Sequence, residues 1–437
     1  MKKRKNWFLL GIYVLVVIIN VLSRYSRGFG NQVRRSVFYM TQYIQGHISS
    51  LFPFSLGEFL LILAVILAAG ALVLAAVLLS VWVEGVLKVG GETAGAGHEK
   101  VGGETAGAGH EKVGGETAGA GHEKVSGETA GRGHEKVGGN HGKRSRCSGR
   151  SKILRFAGGY FYGLLWIIGV VSVIMSINCF ALYHCSSFQE NYMPKKGREY
   201  HVGELAAVRD HVVRQCNELA EMMERDENGF IVYQGDIGQR AVSEMKRLGE
   251  EYPLLDGYYP VPKKFAFSGF FSQQYIMGYY FPFSMEANYN GKMYIANVPS
   301  TICHELSHVK GFIYEDDANF IGYLACTTSE DAFFRYSGYL SVLDYLNRDL
   351  YENLGRSREA YLTYETCSPL MESDNIFLTR QAWEEVESNA VISTETVKQA
   401  SRSFLETNLQ VNGIEEGIAS YGDVVERLLV YYDGELY

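Results

Sequence analysis

The amino-acid sequence predicts an α+β protein in which N-terminal transmembrane helices precede a mostly helical domain with a small β-sheet. Three uncharged apolar runs near the N-terminus are each long enough to cross a bilayer as a helix, which takes about 20 residues. A Gly-rich repeat separates the second run from the third. Residues 190–437 then show helical, strand-like and again helical hydrophobic spacing.

The three apolar runs are Asn6–Ser23, Phe59–Val83 and Phe156–Ala181. The first run follows the charged residues 2–5, as the apolar part of a signal peptide does, but no small-x-small cleavage site follows it. Two further runs come later in the chain. We therefore expect an uncleaved first helix and three membrane spans.

Basic residues in the short flanks of the spans predict their orientation. Residues 2–5 place the N-terminus in the cytoplasm, and six basic residues place the loop between the second and third spans there too. These six are Lys88, Lys143, Arg144, Arg146, Arg150 and Lys152. Three crossings then leave everything after about Tyr183 outside the cytoplasm, although the outer loop 24–58 also carries four arginines. The sequence predicts a multi-pass protein of the cell membrane with an extracytoplasmic domain.

These segments divide the chain into four parts. They are residues 1–88, with two transmembrane helices and a short outer loop; residues 89–152, with the repeats and a basic cytoplasmic loop; residues 153–185, with the third transmembrane helix; and residues 190–437, the extracytoplasmic domain. The repeat, residues 89–136, has a period of twelve and four copies, the fourth altered at Ser126 and Arg132. Most copies hold four Gly and a single Val, too little apolar content to bury a core, so we expect a flexible insert.

Charge and cysteine content exclude some functions. The net charge of -8 argues against nucleic acid as a partner, because such binding requires clustered Lys and Arg, and the basic cluster 143–152 adjoins a span. The seven cysteines form no CxxC pair, so a cysteine-based zinc site is not expected. Five of them lie at or beyond the outer membrane face, which allows one disulfide without choosing its pair.

Within the domain, Glu286–Tyr289 and Met293–Val298 flank Asn290-Gly291, which predicts a hairpin with a type I′ turn. After Pro299 the spacing becomes helical and remains so to the C-terminus. Either Ser300 or Thr301 is a suitable N-cap for the helix that begins here.

This helix carries the motif His304-Glu305-Leu306-Ser307-His308. The two histidines are four residues apart, so their rings project from one face and can share a Zn²⁺ with bonds of about 2.0–2.1 Å. Glu305 lies one step round the helix, where its carboxylate can take a proton from a zinc-activated water. The adjacent Cys303 faces away from the metal and is expected to be a small core residue.

A third protein ligand must come from a carboxylate, because no histidine follows His308. A continuous helix would carry residue 315 about 10 Å along the axis from His308, so the chain must turn back, and Gly311 permits this. We expect Glu315 to be the third ligand, since the helix that follows it would then place Asn319 near a ligand histidine. The open alternatives are Asp316 and Asp317.

Four segments together resemble one family. They are Phe281–Asn288, Ile302–His308, Glu315–Cys326 and Phe334–Leu340. They resemble an uncharacterised family of bacterial membrane proteins, catalogued as a domain of unknown function, with three spans and an HExxH motif. Glu315-Asp-Asp-Ala-Asn319 is also similar to the ExxxD or ExxAN signature of gluzincins, which are zinc metallopeptidases. This resemblance implies a zincin-like, gluzincin-type domain in which Glu315 binds zinc and Asn319 supports a ligand histidine from the second shell.

The resemblance also suggests groups that bind the substrate. Zincins bind the substrate backbone along an edge strand before the HExxH helix, which would be Met293–Val298. Arg335, Tyr336 and Tyr339 are candidates to polarise the scissile carbonyl or to stabilise the transition state.

Three hypotheses for the function follow. The first is a membrane-anchored zinc metallopeptidase that hydrolyses a peptide or protein substrate, with Glu305 as general base. The second is a non-catalytic zinc-bound sensor or scaffold, and the third is another zinc hydrolase that acts on cell-wall peptide bonds. The intact Glu305 favours catalysis, because a purely structural zinc ion needs no general base.

Overall fold

The computed structural model describes residues 2–95, 141–193, 198–411 and 423–437. These residues are mostly helical with one three-stranded sheet, which confirms the predicted α+β class and its helix-rich composition. Three helices are long and apolar enough to cross a membrane, as predicted. Their candidate spans are Lys5–Tyr25, Leu56–Glu84 and Arg150–His184.

The first helices carry the candidate spans. They are α1 (Lys2–Tyr25), α2 (Arg27–Val33), α3 (Tyr39–Ser50), α4 (Leu56–Gly95) and α5 (His141–Met175). A π-helical turn, Arg34–Phe38, connects α2 to α3, and a second one, Ser176–Phe180, continues α5. Helix α4 runs past Val89, where the repeat begins, so the expected flexible insert does not start at its first residue. The rest of the repeat lies outside the described residues.

The remaining elements form the body of the domain. The helices are α6 (Phe188–Tyr192), α7 (Val202–Ala220), α8 (Ile237–Glu251), α9 (Ser268–Gln273), α10 (Val298–Val309), α11 (Glu315–Thr327), α12 (Ala332–Asn353), α13 (Arg358–Tyr361), α14 (Pro369–Asp374), α15 (Arg380–Ser388), α16 (Thr394–Val411) and α17 (Asp423–Tyr432). The strands are β1 (Lys263–Lys264), β2 (Gly278–Phe281) and β3 (Glu286–Tyr289). Six cysteines are free thiols, namely Cys179, Cys185, Cys216, Cys303, Cys326 and Cys367.

The chain divides into two compact units, one formed by Met1–Ala64 with Trp166–Tyr437 and the other by Val65–Leu165. In the smaller unit, Tyr160 donates a hydrogen bond to a backbone carbonyl of α4 at 2.6 Å. In the larger unit, the fully buried side chains of Phe38, Leu182 and Phe188 belong to the core of the domain. The core therefore extends beyond the segment 190–437 into the loop between the first two spans.

The sheet has the order β1-β3-β2, with β1 parallel and β2 antiparallel to β3. The predicted hairpin across Asn290-Gly291 is wrong, because Met293–Val298 forms a 3₁₀ turn and the start of α10 rather than a strand. Neither Asn290 nor Gly291 has the positive φ of a type I′ turn, and the Asn290 amide instead donates to the Ser272 hydroxyl at 2.9 Å. The observed hairpin joins β2 to β3 through residues 282–285, where Met285 has a φ of 56°.

Helices α10 and α11 pack closely because Gly322 has no side chain. A Cβ atom at Gly322 would lie 3.1 Å from the backbone nitrogen of His304 and 3.2 Å from the carbonyl oxygen of Ser300. At the other side of α11, Arg427 of α17 forms ion pairs with Asp316 at 2.5 Å and with Asp317 at 3.0 Å. Helix α11 is therefore held between α10 and α17.

We predict that Gly322→Val destabilises the protein by roughly 1–3 kcal/mol, the usual cost of overpacking a core, because backbone atoms cannot move aside as a flexible side chain can. Thermal unfolding of the full chain in detergent measures this as a lower midpoint. Gly203→Val is the matched control, because a Cβ atom at this exposed helical glycine meets nothing within 4 Å. Equal midpoints for the two variants would contradict the close approach.

Candidate metal centre

The two histidines of the motif face each other on α10. Their Nε2 atoms are 3.1 Å apart and their ring planes are 89° apart. Two Zn–N bonds of about 2.0–2.1 Å at a tetrahedral angle would separate two nitrogens by about 3.3 Å. The observed separation of His304 and His308 therefore fits two ligands of one small cation.

Glu315, at the start of α11, completes the group. Its Oε2 atom lies 3.1 Å from Nε2 of His304, and its Oε1 atom lies 3.8 Å from Nε2 of His308. One ligand atom from each of the three side chains lies within 4.8 Å of the others. His304, His308 and Glu315 therefore form a group that can hold a metal ion.

A tight turn returns the chain from α10 to this position. Gly311 has a φ of +83°, and its N–H donates to the carbonyl of His308 at 2.9 Å, while the N–H of Phe312 donates to the carbonyl of Ser307 at 3.3 Å. This pair of bonds is a Schellman motif, which ends a helix with a glycine in the left-handed region. The reversal occurs at the glycine where the sequence predicted it.

The start of α10 differs from the prediction. The helix begins at Val298, with Pro299 in its first turn, so neither Ser300 nor Thr301 is the N-cap. The N–H of Ser300 donates instead to the hydroxyl of Ser337, a residue of α12, at 3.0 Å. The hydroxyl of a neighbouring helix thus accepts from a backbone N–H of the first turn, as the side chain of an N-cap residue would. The local sequence alone does not reveal this contact.

Each ligand histidine is oriented by a hydrogen bond at its other nitrogen. The Nδ1 atom of His304 lies 2.9 Å from Oδ1 of Asn319, and Nδ1 of His308 lies 2.7 Å from the carbonyl oxygen of Phe312. Both partners are acceptors, so each Nδ1 carries a proton, and in the neutral ring each Nε2 then has a lone pair for a metal. Asn319 thus supports His304 from one turn beyond Glu315.

The other two carboxylates of the acidic run are engaged elsewhere. Asp317 is fully buried, pairs with Arg427 and accepts a hydrogen bond from the N–H of Phe188 at 2.8 Å. Asp316 pairs with the same guanidinium. Of the three candidates for the third ligand, only Glu315 faces the histidines.

Glu305 lies beside the metal-binding group without a partner of its own. Its side chain is 5% exposed, and its Oε2 atom is buried with no hydrogen-bond partner among the described residues. Burial raises the pKa of Glu305 to about 8; the positive charge of His304 opposes this rise, and the negative charge of Glu315 adds to it. A buried carboxylate oxygen without a donor is costly, and protonation of Glu305 or a nearby cation would offset that cost.

The protonation of the ligands supports this interpretation. Burial disfavours the charged form of His304, but the hydrogen bond and charge of Glu315, together with Glu305, raise its pKa to about 9. Burial lowers the pKa of His308 to about 4. Burial also opposes ionisation of Glu315, yet the two histidines hold its pKa below the usual value. A protonated His304 is thus paired with the Glu315 carboxylate, and a divalent cation could replace that proton.

Comparison with known proteins places the chain in a family. The family model described as "Protein of unknown function (DUF3810)" matches residues 144–430, which is more than half of the chain. The chain belongs to this family. The DUF3810 match includes every residue of the candidate centre and the third candidate span. No curated protein and no solved structure matches the chain.

Two predicted residues of this DUF3810 protein lie away from the centre. The buried hydroxyl of Tyr336 donates to Asp374 at 2.8 Å, and the guanidinium of Arg335 donates to the carbonyls of Ser329 and Glu330. Both side chains are thus engaged by other partners, and their role at a transition state stays a prediction. Nothing in the sequence distinguished Tyr336 among the 30 tyrosines of the chain.

Two other tyrosines lie near enough to the centre for its charges to affect their pKa values. Burial raises the pKa of Tyr279 on β2 to about 12, and the nearby charges of Glu305 and Glu315 contribute. Burial and then Glu315 also raise the pKa of Tyr345 on α12. Strand β2 approaches closely here, because a Cβ atom at Gly278 would lie 2.5 Å from Oε1 of Glu305. The sequence did not indicate any link between this strand and Glu305.

We predict that Glu315→Ala lowers zinc affinity by more than about 100-fold, the upper limit for loss of a residue that only orients a ligand. Competition titration of the full chain with a zinc chelator measures it. Asp316→Ala is the matched control and should lower zinc affinity far less than Glu315→Ala, because this side chain faces Arg427, which keeps its ion pair with Asp317. Loss of affinity in Asp316→Ala with none in Glu315→Ala would show that the wrong carboxylate has been assigned.

Proposed function

We propose that this protein is a membrane-anchored zinc metallopeptidase with a gluzincin-like domain outside the cytoplasm. The observation that supports it most is the buried, unpartnered carboxylate of Glu305 beside the ligand group of His304, His308 and Glu315. A site that only held a structural metal would not need this carboxylate. Two imidazoles and one carboxylate are the ligand set that zinc takes in catalytic sites that keep an open position.

The residues of the chain suit hydrolysis of a peptide bond. When bound, zinc lowers the pKa of a coordinated water to about 7 and polarises a carbonyl group. The positive charge of a bound metal would lower the pKa of Glu305 from the value of about 8 that burial gives it. As a carboxylate, Glu305 accepts a proton as the water oxygen bonds to the carbonyl carbon, and it gives that proton to the amine nitrogen as the C–N bond breaks.

Strand β2 is suited to bind the substrate backbone, in the role that the sequence assigned to Met293–Val298. The carbonyl of Met277 accepts from the N–H of Asn290 at 2.7 Å, so this residue faces β3. Because backbone groups alternate in an antiparallel pair, the N–H and C=O groups of Gly278 and Tyr280 point to the opposite, free edge. An extended peptide can add to this edge as a further strand and would then pass Glu305.

The extracytoplasmic placement follows from the distribution of basic residues. The four arginines of loop 24–58 appeared to contradict it, and contacts within the larger unit account for two of them. Arg27 pairs with Glu190 at 2.5 Å, and the buried Arg34 donates to the carbonyl of Ser186 at 3.1 Å. These two side chains therefore have a structural role. The basic residues of the loop between the second and third spans are then the stronger indication of membrane orientation.

We predict that Glu305→Gln retains zinc and loses peptidase activity by about 10²–10⁴-fold, because it removes the base but no ligand. Cleavage of a peptide library by the full chain in detergent, analysed by mass spectrometry, measures the activity. Glu330→Gln is the matched control, since Glu330 is exposed.

Equal cleavage by the wild type and Glu305→Gln would contradict the assigned base. A wild-type protein that binds zinc and cleaves no peptide would favour the sensor or scaffold instead.

A further inference from the structure

Helix α3 and its flanks present an apolar face that the described part of the protein leaves uncovered. Val37, Met40, Ile44, Ile48 and Leu51 follow one another at helical spacing, with exposed fractions from 38% for Val37 to 79% for Leu51. The sequence has no charged residue between Arg35 and Glu58. A contiguous apolar surface of this kind is typical of a site that contacts a membrane or a partner.

The opposite face of α3 is polar and holds the domain. The side-chain amide of Gln42 donates to the carbonyl of Tyr258 at 2.8 Å, and the Lys263 ammonium donates to the carbonyl of Ser49 at 2.7 Å. A soluble helix normally buries its apolar face, and α3 reverses this arrangement. Its apolar face therefore points away from the domain that its polar face supports.

The apolar face continues into the surface around the second candidate span, which begins at Leu56. The carboxylate of Glu58, in the first turn of that helix, accepts hydrogen bonds from the N–H groups of Ala266 at 2.8 Å and Phe267 at 3.0 Å. Phe267 is 53% exposed, and Phe270, on α9, is 50% exposed. Two aromatic side chains thus lie level with the end of a candidate span, where aromatic residues are enriched at membrane interfaces.

The candidate metal centre is attached to the same region. The hydroxyl of Tyr314, the residue before Glu315, donates to the carbonyl of Tyr183 near the end of the third candidate span. The turn at Gly311 packs against Phe38, since a Cβ atom there would lie 2.9 Å from the phenyl ring. The third ligand is therefore one residue away from a contact with a candidate membrane span.

We propose that α3 lies in the interface of the bilayer with its apolar face in the lipid, and that the candidate site acts on polypeptide segments next to a membrane anchor. The bilayer is the occupant that the chain favours, because candidate spans precede and follow α3 and the exposed aromatic residues continue its face. The proposed position of α3 depends only on the exposed residues and contacts described above. The proposed substrate class rests in addition on the proposed function.

Lipid cross-linking tests the position of α3. A benzophenone-bearing residue is placed at Ile44, at Phe270 or at the 99%-exposed Val391 in the full chain, which is purified and reconstituted in liposomes. After irradiation, mass spectrometry should find lipid adducts at positions 44 and 270 and none at 391. Cross-links between two copies of the chain without lipid adducts at 44 would overturn the proposal.

Cleavage in the same liposomes tests the substrate class. Three substrates carry the same cleavable sequence: directly after a transmembrane anchor, after an anchor and a flexible spacer of about 40 residues, or in a soluble peptide. Comparing them separates the effect of tethering to the membrane from that of the distance between the cleavage site and the anchor. The site next to the anchor should be cleaved about tenfold faster than the site beyond the spacer.

Equal cleavage of the two tethered sites would overturn the substrate class and leave the peptidase function intact. Absence of cleavage in all three substrates would refute the proposed function and with it the substrate class, while lipid cross-linking would still decide the position of α3.

Discussion

The candidate metal centre depends on how closely α11 approaches α10. A single missing side chain, at Gly322, lets the two helices touch through backbone atoms, and the turn at Gly311 reverses the chain within a few residues. Together these features place Glu315 against His304 and His308, although a straight helix would have carried it about 10 Å away. The ion pairs of Arg427 with the two following aspartates hold α11 in this position and leave Glu315 as the carboxylate that faces the histidines.

The buried carboxylates of the domain differ in whether a neighbouring group compensates their charge. Asp317 is as buried as any group of the domain, but it has the guanidinium of Arg427 and a backbone N–H as partners. Glu305 has an oxygen without a partner among the described residues, and a protonated His304 pairs with Glu315 at 3.1 Å. A protein retains such an uncompensated group where a ligand supplies the missing charge, which is why buried carboxylates with shifted pKa values indicate functional sites.

The sequence predicted the features that depend on local rules. The spacing of His304 and His308, the glycine that ends their helix and the carboxylate after it are all set within about a dozen residues. The pairing of β3 was predicted wrongly because Asn290 is held by a hydrogen bond to Ser272, and such a distant contact leaves no local pattern. The same limit explains why Phe38, in a loop between two spans, was not expected in the core, and why Tyr336 was predicted at the centre. A tyrosine in a helix looks the same whether its hydroxyl meets Asp374 or a metal site.

Metal analysis of the full chain, purified in detergent without added metal and dialysed against a weak chelator, tests the central claim most directly. Elemental mass spectrometry should find one zinc per chain, and the double variant His304→Ala with His308→Ala should hold none while remaining folded by circular dichroism. A folded wild-type chain that binds no divalent metal, even after incubation with zinc, would contradict the account, because the proton between His304 and Glu315 would then be the native occupant of the site.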